Sequence, residues 1–132
     1  MKYLLDTNTC IKYLNGTSDK IKNKFVEYSF TEMFLCSVVK SELIFGAHKS
    51  GNPVKNLKKM NLFFEPFISL PFDDNCANIY GVIRSTLEKK GTPIGPNDLL
   101  IASIALSYKL ILVTHNIREF KRVPNLNIED WE

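Results

Sequence analysis

The run Leu99-Leu100-Ile101-Ala102-Ser103-Ile104-Ala105-Leu106 carries one hydroxyl and no charge. A helix that is apolar on nearly every side has to be buried, so the rest of the chain must be arranged around it. That rest is an alternation. Short apolar, β-branched runs at Lys2–Leu5, Phe34–Val38, Phe67–Leu70 and Leu110–Val113 read as strands, with Leu126–Ile128 as a further edge strand. Between them lie helical stretches: Thr9–Leu14, stopped by Asn15-Gly16; Ser18 or Asp19 to Tyr28; Lys40–Lys49; and Val54–Phe64. Asp73 or Asp74 then caps a long helix. Cys76, Ile79, Tyr80, Ile83 and Leu87 form its inner stripe, and Gly91 stops it. Pro96 opens the apolar helix, and Arg118–Arg122 reads as a helical turn. The alternation predicts an α/β sandwich, a mostly parallel central sheet of four to five strands flanked by helices. In such sheets ligands bind beyond the carboxyl ends of the strands, so the residues after each strand are where chemistry is expected.

A chain of 132 residues is the size of one domain, here 1–132, and can bury a core without disulfide staples. Its 45% hydrophobic and 23% charged residues exclude global disorder, collagen-like sequence and a coiled-coil rod. Cys10, Cys36 and Cys76 are too few and too scattered for a disulfide framework. With only His48 and His115 beside them, a Cys/His zinc site is not expected. Asp6 interrupts the first apolar run too early for a signal peptide, and no apolar stretch reaches the roughly 18–20 residues of a membrane span. These features imply a cytoplasmic protein with no membrane partner. A formal charge of +3 permits a polyanionic ligand without demanding one.

Three acids sit where acids are costly unless used. Asp6 follows the first strand, Glu42 lies on the helix after the second, and Asp98 opens the most hydrophobic helix. Singly, each has an ordinary explanation: a helix cap for Asp6, a dipole partner for Asp98, a solvated surface for Glu42. Together they share one expected edge of the sheet. Two like charges about 4 Å apart repel by roughly 4 kcal/mol at an effective dielectric near 20, and no run of Lys or Arg adjoins these positions. A hard divalent cation would relieve the repulsion, which points to magnesium or manganese and to metal-assisted phosphodiester hydrolysis. Asn8, Thr114 and Asn116 fall at the same edge, where they could orient the carboxylates or hold waters around the metal.

Four segments carry a family resemblance: Leu4-Leu5-Asp6-Thr7-Asn8; Ser41-Glu42-Leu43 with Gly46; Gly95-Pro96-Asn97-Asp98-Leu99-Leu100-Ile101-Ala102; and Val113-Thr114-His115-Asn116 with Arg118-Glu119-Phe120. In order and spacing they resemble the motifs of PIN-domain ribonucleases, in particular the VapC toxins of type II toxin–antitoxin systems. The resemblance implies a PIN-like three-layer sandwich with magnesium at the sheet edge. Asp6, Glu42 and Asp98 match the acidic triad, Asp6 and Asp98 as the most direct metal ligands. Thr114 and Asn8 match supporting positions. Asn116 stands where many PIN domains have a fourth acid, and Glu119 is the nearby carboxylate that could replace it. The implied reaction is in-line attack of water on structured RNA, commonly tRNA, leaving 5′-phosphate and 3′-hydroxyl ends. The implied partners are a VapB-type antitoxin and a second toxin copy, with DNA met only through the antitoxin.

Among the basic residues, Arg118 and Lys121 lie close enough after the expected catalytic edge to meet phosphate. Phe25, Phe34, Phe64, Phe67 and Phe72 are expected in the core. A PIN-like domain that binds RNA or protein without cutting is the alternative that Asn116 favours. A phosphotransfer domain with an aspartyl nucleophile would want an acid where Asn8 stands.

Overall fold

The computed structural model describes residues 1–132. Five strands form one parallel sheet: β1 (Tyr3–Leu5), β2 (Met33–Cys36), β3 (Ile68–Leu70), β4 (Ile111–Val113) and β5 (Ile128–Glu129). Seven helices connect and flank them: α1 (Thr7–Asn15), α2 (Asp19–Glu27), α3 (Ser37–Lys49), α4 (Pro53–Phe64), α5 (Asp74–Lys89), α6 (Pro96–Ser107) and α7 (Ile117–Phe120). The strand order is β3-β2-β1-β4-β5. The chain winds outward from β1 to β3 on one side, then returns to place β4 and β5 on the other. The topological switch therefore falls between β1 and β4, where the register sets Leu5 opposite Val113.

The expected alternation is observed, with shifted boundaries that matter for the site. Helix α1 starts at Thr7 rather than Thr9, because Asp6 accepts the Thr7 N–H at 2.8 Å and starts the helix immediately after β1. Thr7 and Asn8 are thus helical residues. Strand β2 ends at Cys36; Ser37 and Val38, read as strand from their composition, already belong to α3. Burial decides this, since Val39, Leu43 and Ala47 are the residues that α3 buries. Strand β5 covers Ile128–Glu129 rather than Leu126–Ile128, pairing Ile128 with Leu112 and Glu129 with Val113. Gly16 and Gly91, both at positive φ (64° and 70°), end α1 and the turn after α5 as expected.

Helix α6 is the buried element its composition requires, with Leu99, Ile101, Ala102, Ser103, Ile104 and Ala105 all buried. The Ser103 hydroxyl donates to the Leu99 carbonyl at 2.6 Å, which satisfies the one polar side chain in the run. Phe25, Phe34, Phe64 and Phe67 join the core; Phe72 is half-buried, edge-on to Tyr80. Trp131 lies beyond β5, stacked on Tyr28 and edge-on to Tyr3 and Phe25, so the last residues are anchored on the core.

Candidate active site

Parallel pairing of β1 and β4 brings Asp6 and Thr114, each the first residue past its strand, side by side. Thr114 donates its hydroxyl to Asp6 Oδ2 at 2.7 Å, while Oδ1 takes the Thr7 N–H at 2.8 Å. Both residues are buried. Burial pushes the Asp6 carboxyl above its ordinary range; the bonds from Thr114 and Thr7 pull it back, and the charge of Glu119 pushes the same way as burial.

Asp98, in the first turn of α6, faces α7. Pro96 at the head of α6 sets the helix start, and Gly95 before it gives its N–H to Glu119 Oε1 at 2.6 Å. The Asn116 amide bridges the two acids, donating to Glu119 Oε2 at 2.7 Å and to Asp98 Oδ2 at 3.3 Å. The Asn116 N–H in turn donates to Thr114 Oγ1 at 3.0 Å, which joins this half to Asp6. Burial, then the hydrogen bond and charge of Glu119, then the charges of Asp6 and Glu42, push Asp98 up to about 7. Glu119 moves the other way, held down by the bond with Asp98, then by Asn116 and the Gly95 N–H. The two carboxyls of this pair are thus driven apart, Asp98 upward and Glu119 downward.

Glu42 reaches the same space from α3. Burial raises its carboxyl and the Asp6 charge adds to it, while the nearby Thr7 hydroxyl and Asn97 act in the opposite direction. The sequence wheel sets Glu42 between Phe45 and Gly46 with little polar company. In the structure Phe45 is 66% exposed, because the buried stripe of α3 runs through Val39, Leu43 and Ala47. Glu42 lies beside that stripe, facing Thr7 and Asn97. Asn8 is exposed in the first turn of α1. Arg118 and Lys121 are exposed on and after α7.

The structure thus brings Asp6, Glu42, Asp98, Thr114, Asn116 and Glu119 to one edge. The spacing is wider than the sequence argument supposed. The trio whose ligand atoms all lie within 4.8 Å of one another is a different one, His115, Asp130 and Glu132. None of the four carboxylates of the edge takes part in a salt bridge. Arg122, whose charge reaches Glu119, spends a guanidinium N–H on the Pro93 carbonyl at 2.8 Å. Thr7 Oγ1 is buried and faces Glu42. An all-oxygen donor set and an excess of negative charge together fit a hard divalent cation.

Residues 3–126 match the PIN domain family. The chain is 41% identical over 131 residues to the tRNA(fMet)-specific endonuclease VapC of Salmonella typhimurium, covering 99% of this chain and 98% of the relative. It is 40% identical over 133 residues to ribonuclease VapC2 of Rickettsia felis, covering 100% and 99%. It superimposes on the crystal structure of DNA-bound VapBC from Salmonella typhimurium with a TM-score of 0.94, covering 100% of this chain and 99% of that one at 41% identity. The family match and the full-length relatives define the class: the chain belongs to the PIN-domain family, among its VapC ribonucleases.

Sequence reading left Thr7, Gly95 and Asn97 out of the site, although each lies within three residues of Asp6 or Asp98, and that position was the available signal. The contact of Glu119 with the Gly95 N–H joins residues 24 apart and had no local signal.

Proposed function

We propose that this chain is a magnesium-dependent endoribonuclease toxin of a VapBC-type module, with manganese as a substitute ion. The observation that carries the proposal is the convergence of Asp6, Glu42, Asp98 and Glu119 at the β1/β4 switch point with no cation of the chain paired to them. Asp6 and Asp98 would hold the metal, and Glu42 the metal or its water. Such an ion would supply activation of water near neutral pH and charge stabilisation at the phosphoryl oxygen. Thr114 keeps Asp6 ionised and aimed. Asn116 spans Asp98 and Glu119, so that Glu119 supplies the fourth carboxylate that Asn116 does not. Asn8 lies where it can hold water at the mouth of the site. Arg118 and Lys121 meet substrate phosphates.

Structured RNA, and tRNA in particular, is the substrate this reading favours, since the Salmonella typhimurium relative is named for tRNA(fMet). A cognate VapB-type antitoxin is the expected inhibitor, because the superimposed neighbour is a VapBC complex. DNA would be met only through that antitoxin, with the toxin as a homodimer. The functional unit is one PIN domain spanning 1–132, working in the cytoplasm; no helix is long and apolar enough to cross a membrane.

Brief expression of the wild type and of Asp6→Asn, followed by mapping of new RNA 5′ ends, tests the proposal. Discrete 5′-phosphate ends in the wild type that vanish in the variant are the expected result. An absence of new ends in the wild type would favour the binding-only alternative.

A further inference from the structure

We propose that His115, Asp130 and Glu132 form a second cation site, built for a borderline divalent ion of the zinc class and separate from the acidic edge. His115 Nδ1 lies 2.9 Å from Asp130 Oδ2 and 3.2 Å from Glu132 Oε2. Around a tetrahedral zinc ion with bonds of about 2.0–2.1 Å, neighbouring ligand atoms lie about 3.3 Å apart. The two edges that meet at the imidazole nitrogen therefore stand near the length such an ion requires, and all three donors lie within 4.8 Å of one another.

The sheet explains why they meet. Val113 pairs with Glu129 at the ends of β4 and β5, so the segments carrying His115 and Asp130 run on from neighbouring strands. Asp130 and Glu132 lie on either side of Trp131, which is buried. Trp131 stacks on Tyr28 and gives its indole N–H to Glu129 Oε1 at 3.0 Å, so the two carboxylates hang from a fixed point. Each also has its other oxygen engaged. Asp130 Oδ1 takes the Glu132 N–H at 3.0 Å, and Glu132 Oε1 pairs with Lys12. What remains, Asp130 Oδ2 and Glu132 Oε2, turns toward one imidazole nitrogen.

Hydrogen bonding leaves this arrangement incomplete. Nδ1 carries at most one proton for two carboxylate oxygens. Glu132 Oε2 is the oxygen left over: the atom is buried and makes no hydrogen bond, on a side chain only 14% exposed. A cation would engage both oxygens and the nitrogen lone pair at once. With one imidazole ligand, that cation is of the zinc class rather than magnesium. The site shares no residue with the acidic edge. Thr114 and Asn116 turn to Asp6 and Asp98, while His115 between them turns to Asp130. An ion here would tie the end of the chain to the loop that carries Thr114 and Asn116.

The test is zinc titration of the full chain in excess magnesium, together with electron paramagnetic resonance of the copper(II)-loaded chain. One zinc per chain is expected, with nitrogen coupling from a single imidazole in the copper spectrum, a signature the all-oxygen edge cannot produce. His115→Ala and Asp130→Asn should each weaken zinc binding by about 10-fold or more, and His115→Ala should also remove the coupling. Lys12→Met, which frees Glu132 Oε1 and removes a competing charge, should tighten binding several-fold. Asp6→Asn should leave zinc binding unchanged. The proposal is overturned by nitrogen coupling that survives His115→Ala, which would assign it to His48, or by zinc binding that is absent or indifferent to both ligand substitutions. RNA cleavage by the wild type would be unaffected by that outcome, so the nuclease reading stands or falls separately.

Discussion

Asp6 and Asp98 carry the same group to the same sheet edge, where burial raises both carboxyls, but the fold supports them differently. Asp6 is buried and receives two short hydrogen bonds, from Thr7 and Thr114, which offset much of the cost of its burial. Asp98 is half-buried, receives one long bond from Asn116, and faces a second carboxylate. On one side, two hydrogen bonds act against the burial of an acid. On the other, a second carboxylate acts with burial and pushes the acid up to about 7. If Asp6 and Asp98 hold a cation, as proposed, the Asp98 side would be the one where binding releases a proton.

The largest expected effect tests whether both halves are needed. Asp98→Asn should lower the single-turnover rate of RNA cleavage by about a thousand-fold or more, comparable to Asp6→Asn. Retained cleavage in Asp98→Asn alone would mean that the Asp6 side suffices.

Stability of the metal-free protein should separate the halves by sign. The Asp98 carboxyl is raised from 3.8 to about 7, so the folded state binds a proton that the unfolded chain releases. This contribution is fully present below the unfolded value and is lost as pH rises through the folded one. Glu119, held below its ordinary range, contributes in the opposite sense at acid pH. In chelator, Asp98→Asn should therefore match the wild type near pH 4 and exceed it by about 1–2 kcal/mol above pH 7, after discounting for solvent screening. Thermal melts across that range check it; a gap independent of pH would refute the shared proton. Thr114→Val should do the reverse. It removes a bond to a buried carboxylate and the acceptor of the Asn116 N–H, at a cost of about 1–3 kcal/mol. Cleavage should fall about 10- to 100-fold, because Asp6 loses its orientation.

The smallest effect lies outside both halves. Arg118→Ala should reduce cleavage only a few-fold and lower the salt dependence of RNA binding by about one phosphate contact. Salt slopes of wild type and variant that coincide would remove Arg118 from the interface.

Much of this was legible in the residue order. The apolar run of α6 announced its burial, and the alternation of elements announced the parallel sheet. Acids placed after strands announced the edge where Asp6, Glu42 and Asp98 meet. The misreadings were local. Ser37 and Val38 looked like strand because they close the apolar, β-branched run from Phe34, but the need to bury Val39, Leu43 and Ala47 makes them helix. Thr7 and Asn8 looked like a loop because the apolar pattern starts at Thr9, although Asp6, read as a possible cap, starts the helix at Thr7. Glu42 looked isolated on its helical wheel because the wheel shows only its own helix, and its polar company, Thr7 and Asn97, comes from two others.

Residue order by itself determined which segments must be buried and which acids could not be left unused, because periodicity and the cost of a desolvated charge act within a few residues. Only the folded chain decided how the charge is shared. Asp98 and Glu119 shift one another in opposite directions, and His115 meets Asp130 and Glu132 beside Lys12, through contacts between residues far apart in sequence. Such electrostatics depends on distance and burial in three dimensions, and strand register sets both.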